Sequence, residues 1–196
     1  MSGVDGVTRH GQPHRAQPDE SNVHAATVTG DMAQISGDAG LQAFAQSVEL
    51  ALVQAYTEVA SAGTITSPAA VDATATITQH HQEHARALGD AAGSRATNAP
   101  NRRLVNRFGA NLRNASDEAA AIAVLLGFEN EAASTYLFVL GSLEATPALQ
   151  LAASILPVES EHAVVLAGLA HQAPAQTFPS FETQDQALTP DEFPVS

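Results

Sequence analysis

The chain has 196 residues, a formal net charge of −13 with Arg as its only Lys/Arg-type cation, and no cysteine. Without a basic face, phosphate neutralisation has little to work with and no nucleic-acid partner is expected, while disulfides, thiolate catalysis, iron–sulfur clusters and Cys-bound zinc are excluded. With 44% hydrophobic but only 5% aromatic residues, this Ala-rich composition suits closely packed helices.

Residues 1–37 are rich in Gly, Gln, Asp and Pro without periodicity, the pattern of a disordered arm. His10, His14 and His24 within it read as scattered rather than as a metal tract. The start, MSGVDGVTRHGQPHR, has no apolar core of the kind a secretory signal needs. The most apolar stretch, Ala119 to Leu143, is broken by Glu129, Asn130 and Glu131, so no membrane span is expected. The expectation is a soluble, cytoplasmic protein.

The first predicted helix runs from Asp38, as cap, to about Ala62, with Gly63 as its stop. Its apolar stripe is Leu41, Ala45, Glu49, Leu52, Tyr56 and Val59. The second opens at Ser67 with Pro68 in the first helical position. It carries Thr74, Ile77, His81, His84, Leu88 and Ala91 on one face and ends near Gly93. A polar, Arg- and Asn-rich connection over 94–115 follows, with room for one short helix around Arg102 to Phe108.

The third long helix is predicted from Ser116, with Asp117 and Glu118 at the positive end of its dipole. Its stripe is Ile122, Leu126, Glu129, Ala133, Tyr136, Leu140 and Leu143. The fourth repeats the second's opening, with Thr146 as cap before Pro147, and carries Ile155, Glu159, His162, Leu166 and Leu169. Pro157 inside it removes a backbone hydrogen bond, which predicts a kink or local bulge aiming Glu159 and His162. Residues 173–196, with four prolines and three phenylalanines, read as an extended tail that packs in places.

Short connections join the first helix to the second and the third to the fourth, and a long one joins the pairs. The fold predicted is therefore all-α: an antiparallel four-helix bundle over 38–172, built as two helical hairpins with a long crossover. The hairpins form a weak repeat, QEHA at 82–85 against SEHA at 160–163, which pairs His81 with Glu159 and His84 with His162.

The same order of residues recurs in both halves: Glu49 and Tyr56 then His81-x-x-His84; Glu129 and Tyr136 then Glu159-x-x-His162. One Glu from each of two helices, with an i, i+3 pair ending in His from each of the others, is how bundles build an internal two-metal site. Any one of these Glu, taken alone, can turn to solvent, and a lone His on an apolar face is more often a satisfied core residue. Together, three Glu and three His make an oxygen/nitrogen ligand set suited to iron, manganese or zinc. A buried carboxylate needs a partner, yet the first, third and fourth long helices contain no Arg. Tyr56 and Tyr136 read first as core aromatics with satisfied tips, with bonding to ligand carboxylates across the bundle as the alternative. Glu131 and Glu161 are reserve carboxylates; His80 and Glu83 are expected at the solvated rim.

With these motifs the chain resembles the ferritin-like superfamily, and more narrowly ferritin-like-domain proteins whose helices read E-x6-Y, ExxH, E-x6-Y, ExxH. The tail FETQDQALTPDEFPV is similar as well. The resemblance implies a bundle, often a homodimer or larger, with a di-iron or related centre that oxidises ferrous iron, removes peroxide or activates oxygen for substrate oxidation. Carried over by position, the metal ligands are Glu49, His81, His84, Glu129, Glu159 and His162, with Glu159 and His162 central to catalysis. Glu49 and Glu129 are the terminal ligands and Glu159 the bridge. His81 departs from the pattern, which has a bridging Glu there; a neutral imidazole cannot bridge as a carboxylate does. The expected cofactor is iron, as a pair or a single ion, with manganese or zinc as alternatives, and oxygen or peroxide as reactant. The competing expectation is a non-enzymatic scaffold, stress or assembly protein with a degenerate or structural site.

Overall fold

The computed structural model describes residues 37–173 and 183–195. The arm expected over 1–37, with its three histidines, therefore lies outside the described residues apart from Gly37. Among the described residues the fold is all-α: α1 (Asp38–Ala62), α2 (Pro68–Ala92), a 3-10 turn (Gly93–Arg95), α3 (Arg102–Arg113), α4 (Glu118–Ser142) and α5 (Thr146–Leu169). α1 packs along α2 and α4 along α5; the two hairpins meet through α1 against α4 and α2 against α5.

The ends of the hairpins are tied reciprocally by two carboxylates. Asp38 is not the cap of its own helix, a place held by Gly37. It lies in the first turn and accepts the backbone N–H groups of Glu144 at 2.9 Å and Ala145 at 2.7 Å, pinning the α4–α5 turn. At the opposite end Glu118 accepts the N–H groups of Thr66 at 2.6 Å and Ser67 at 2.9 Å, pinning the α1–α2 turn. Ser67 caps α2 by position only, because its hydroxyl donates to Glu118 instead. Each tie satisfies donors that a helix start leaves orphaned, and together they set the axial register of one hairpin on the other.

The other boundaries shift by a residue or so from the expectation. Asp117, not Ser116, caps α4 through the N–H of Ala120 at 2.9 Å, and Ala145, not Thr146, occupies the cap position of α5. α1 does end at Gly63, whose φ of 65° is the left-handed conformation glycine adopts without penalty. α5 stays a single helix through Pro157, which is exposed. The crossover helix α3 runs past Phe108 to Arg113. Leu104 and Phe108 anchor it in the core, where the Phe108 and Phe128 rings lie 3.9 Å apart between centroids.

The stripes are buried with four exceptions: Ala91 is exposed, its neighbour Ala92 buried instead, and His84, Leu140 and Leu169 are half-buried. α4 and α5 are long and apolar enough to cross a membrane by length and composition alone. Much of α4's apolar surface faces its neighbours, 61% of its most apolar stretch being buried, against 39% for α5.

The described part of the tail, 183–195, straps the bundle. Leu188 is buried and its N–H donates to Thr135 Oγ1 at 2.8 Å. Asn101, which caps α3, donates from its side chain to the Phe193 carbonyl at 2.9 Å. The Arg107 guanidinium sits 5.1 Å from the Phe108 ring centroid and 5.0 Å from that of Phe193. Leu188→Ala is expected to cost about 2–3 kcal/mol, a fall of about 1 M in the urea midpoint. An unchanged midpoint in urea melts would show that the strap adds nothing to the fold.

Candidate metal centre

Helical periodicity places Glu49 on α1, His81 and His84 on α2, Glu129 on α4, and Glu159 and His162 on α5 on inward faces, and the structure brings all six together. Glu49, His81, Glu129 and Glu159 are completely buried and His162 is 4% exposed. His84 has 13% of its side chain exposed and forms the edge of the cluster nearest solvent. The donor atoms fall into two overlapping quartets, each within 4.8 Å: Glu49, His81, His84 and Glu159; and His81, Glu129, Glu159 and His162.

The contacts follow the internal repeat. His81 Nδ1 lies 2.8 Å from Glu49 Oε2 and its Nε2 lies 3.3 Å from Glu129 Oε1. His162 Nδ1 is 3.1 Å from Glu129 Oε2. Both tyrosines reach across the bundle, which replaces the simpler expectation of plain core aromatics. Tyr56 donates to Glu129 Oε1 at 2.5 Å and Tyr136 donates to Glu49 Oε1. Each Tyr therefore serves the Glu of the opposite half. Burial, then the adjacent Glu charge, raises both phenols well above 10, so they remain donors.

Glu159 is different. Its Oε1 is 2.8 Å from His84 Nδ1 and its Oε2 is 3.6 Å from His162 Nδ1. Neither oxygen forms an aligned hydrogen bond, and nor does His84 Nδ1. Leaving a buried polar group unsatisfied costs about 1–3 kcal/mol, and more when it is charged. These atoms belong to the two quartets above, whose spacing lets one ion be shared among the donors of each. Three buried carboxylates with only histidines and tyrosines as polar partners among the described residues complete the case. The donor set fits a divalent transition metal of the iron, manganese or zinc kind.

His80 is the residue that sequence reading misplaced. It is half-buried rather than solvated, and its Nδ1 lies 2.9 Å from His162 Nε2 with the rings stacked at 5.2 Å. It engages the outer nitrogen of a candidate ligand and so fixes which nitrogen of His162 faces the cluster. No periodicity on α2 signals this, because the partner belongs to α5. The reserve carboxylates stay outside: Glu131 pairs with Arg107, and Glu161 is exposed.

Without an ion, protons hold this cluster together. Burial opposes charge on Glu49, but His81 and His84 outweigh it and hold the carboxyl at about 2. Glu129 is likewise held low, against burial, by His81 and His162. Burial and the neighbouring Glu49 raise Glu159. Burial opposes charge on the histidines too, yet carboxylates overcome it: His81 and His162 are raised, and His84 rises to about 9.

A family described as ferritin-like domain matches residues 37–172, well over half of the chain. Comparison with curated proteins and with solved structures finds no match.

Two outcomes follow from this geometry. A histidine raised from 6.5 to about 9 contributes stability that is complete below 6.5 and lost as pH rises towards 9. The melting temperature of the metal-free chain should therefore fall across that window, and saturating divalent metal should remove the fall by replacing the protons. A flat metal-free profile would contradict the charge assignment. His80→Ala should weaken metal affinity about tenfold by freeing the His162 ring, as titration with a competing chelator would measure.

Proposed function

This chain belongs to the ferritin-like domain family, and on that premise we propose that it binds iron in the Glu/His cluster and oxidises ferrous iron or reduces oxygen or peroxide there. The observation that carries the reading is Glu159, whose two buried oxygens have no hydrogen bond and face the two donor quartets. Manganese or zinc in the same ligand set is the alternative occupancy. A bound redox-active ion supplies electron exchange with oxygen or peroxide.

The chain's own residues do the rest. Glu49 and Glu129 are terminal carboxylates, each held in one rotamer by the hydroxyl of the tyrosine opposite. Glu159 presents one oxygen to each half. The histidines supply nitrogen donors and the local proton store. Complete burial of four of the six residues excludes bulky substrates, which favours reactants the size of oxygen, peroxide or a bare ion. The edge at His84 and half-buried His80 is the side from which they enter. A cytoplasmic homodimer or larger assembly is the setting we propose, from the family's habits.

The competing reading is a helical scaffold whose ion is structural or whose site is degenerate. One observation favours it: the bridging position of the second hairpin holds Glu159, while its counterpart is His81. Anaerobic addition of ferrous iron followed by oxygen separates the two. The redox reading expects stoichiometric iron and an oxygen-dependent rise in near-ultraviolet absorbance. Glu159→Ala and His162→Ala should each lower iron content at least about tenfold. A folded chain that takes up no metal and shows no absorbance change is a scaffold.

A further inference from the structure

We propose that His81 limits this centre to one tightly held ion per chain, seated on the Glu129, Glu159 and His162 side and ligated by His81 Nε2. The inference rests on the metal-binding reading of the same cluster and adds occupancy and position to it.

The two quartets share Glu159 and His81. Glu159 can serve both at once, because a carboxylate carries lone pairs on two oxygens, here turned to opposite halves. His81 is also turned to both: Nδ1 faces Glu49 at 2.8 Å and Nε2 faces Glu129 at 3.3 Å. A neutral imidazole, however, has one lone pair and one N–H. When one ring nitrogen ligates an ion, the other must point its N–H, the positive end of a dipole, into the opposite half. That N–H engages the carboxylate which a second ion would require.

Three features select the half. Ligating histidines commonly donate their other N–H to a carboxylate, and the 2.8 Å contact from Nδ1 to Glu49 is the shorter of the two His81 contacts. Glu49 then accepts from His81 on Oε2 and from Tyr136 on Oε1, so both of its oxygens are engaged. Glu129 accepts from Tyr56 on Oε1, and its Oε2 is paired with His162 Nδ1, itself a candidate ligand nitrogen whose place beside the carboxylate an ion would take. Lastly, His162 has its outer nitrogen held by His80 at 2.9 Å, while His84 is the cluster's most exposed ligand candidate. The favoured half is the more buried one and has the more complete set of supporting hydrogen bonds.

The test loads the full chain with excess Co2+ or Mn2+, removes unbound ion, and counts metal per chain by mass spectrometry, with electron paramagnetic resonance of the Mn2+ form. One magnetically isolated ion per chain is expected. His81→Glu, which restores a carboxylate able to serve both halves, should raise the count to two. His162→Ala should lower affinity more than tenfold, whereas His84→Ala should change it by less than that; these variants decide the position even if His81→Glu does not fold. Two coupled ions in the unaltered chain, with the ring bridging after losing its proton, would overturn the inference. So would a folded His81→Glu chain that still holds one ion, or a larger loss with His84→Ala than with His162→Ala. No ion at all overturns the metal-binding reading together with it.

Discussion

Three carboxylates buried at the centre of a chain that has no Lys, and no Arg on the helices bearing them, set the problem the rest of this structure answers. Charge in a low-dielectric interior must be paired, neutralised by protons or coordinated to a metal. Here the histidines of α2 and α5 face the carboxylates, where they can pair with them as protonated rings or offer nitrogen donors to an ion. The same side chains could therefore answer the problem in either way. Buried ion pairs of this kind are weak evidence for stability in themselves, so their concentration at one level of the bundle speaks for a site rather than a structural device.

Precision at the centre depends on features at the ends. Asp38 and Glu118 lie at opposite ends of the bundle, and each ties a turn of the other hairpin through backbone N–H groups. With the hairpins locked in register, Tyr56 meets Glu129 and Tyr136 meets Glu49. A slip of one helical turn, about 5.4 Å, would part both pairs. The strap over 183–195 and the crossover helix α3 act on the flank of α1 and α4, where Leu188, Phe193, Leu104 and Phe108 fill the same core.

The bundle also shows how an internal repeat can be symmetrical in backbone and unequal in chemistry. Glu49 and Glu129 occupy equivalent places, and each accepts from the tyrosine of the opposite half. His81 and Glu159 occupy equivalent places but differ in valence: one offers a single lone pair, the other oxygens to both sides. The supporting partners differ too, since His80 backs His162 and the repeat places Val158 at the position corresponding to His80.

Periodicity and loop lengths alone determined the long helices, their hairpin pairing, and the six inward-facing Glu and His, because a 3.6-residue repeat fixes which face a side chain takes. The departure at His81 was legible as well, since the repeat puts Glu159 against it. Helix caps were less legible: Asp38 looks like an N-cap in sequence but bonds a turn 106 residues away. Only the tertiary structure decided that the tyrosines cross between halves, that His80 backs His162, and that Glu159 is left without aligned partners. These facts depend on distances between separate helices, which local sequence does not encode. The pattern along each helix chooses a face; packing of one hairpin on the other chooses what that face meets.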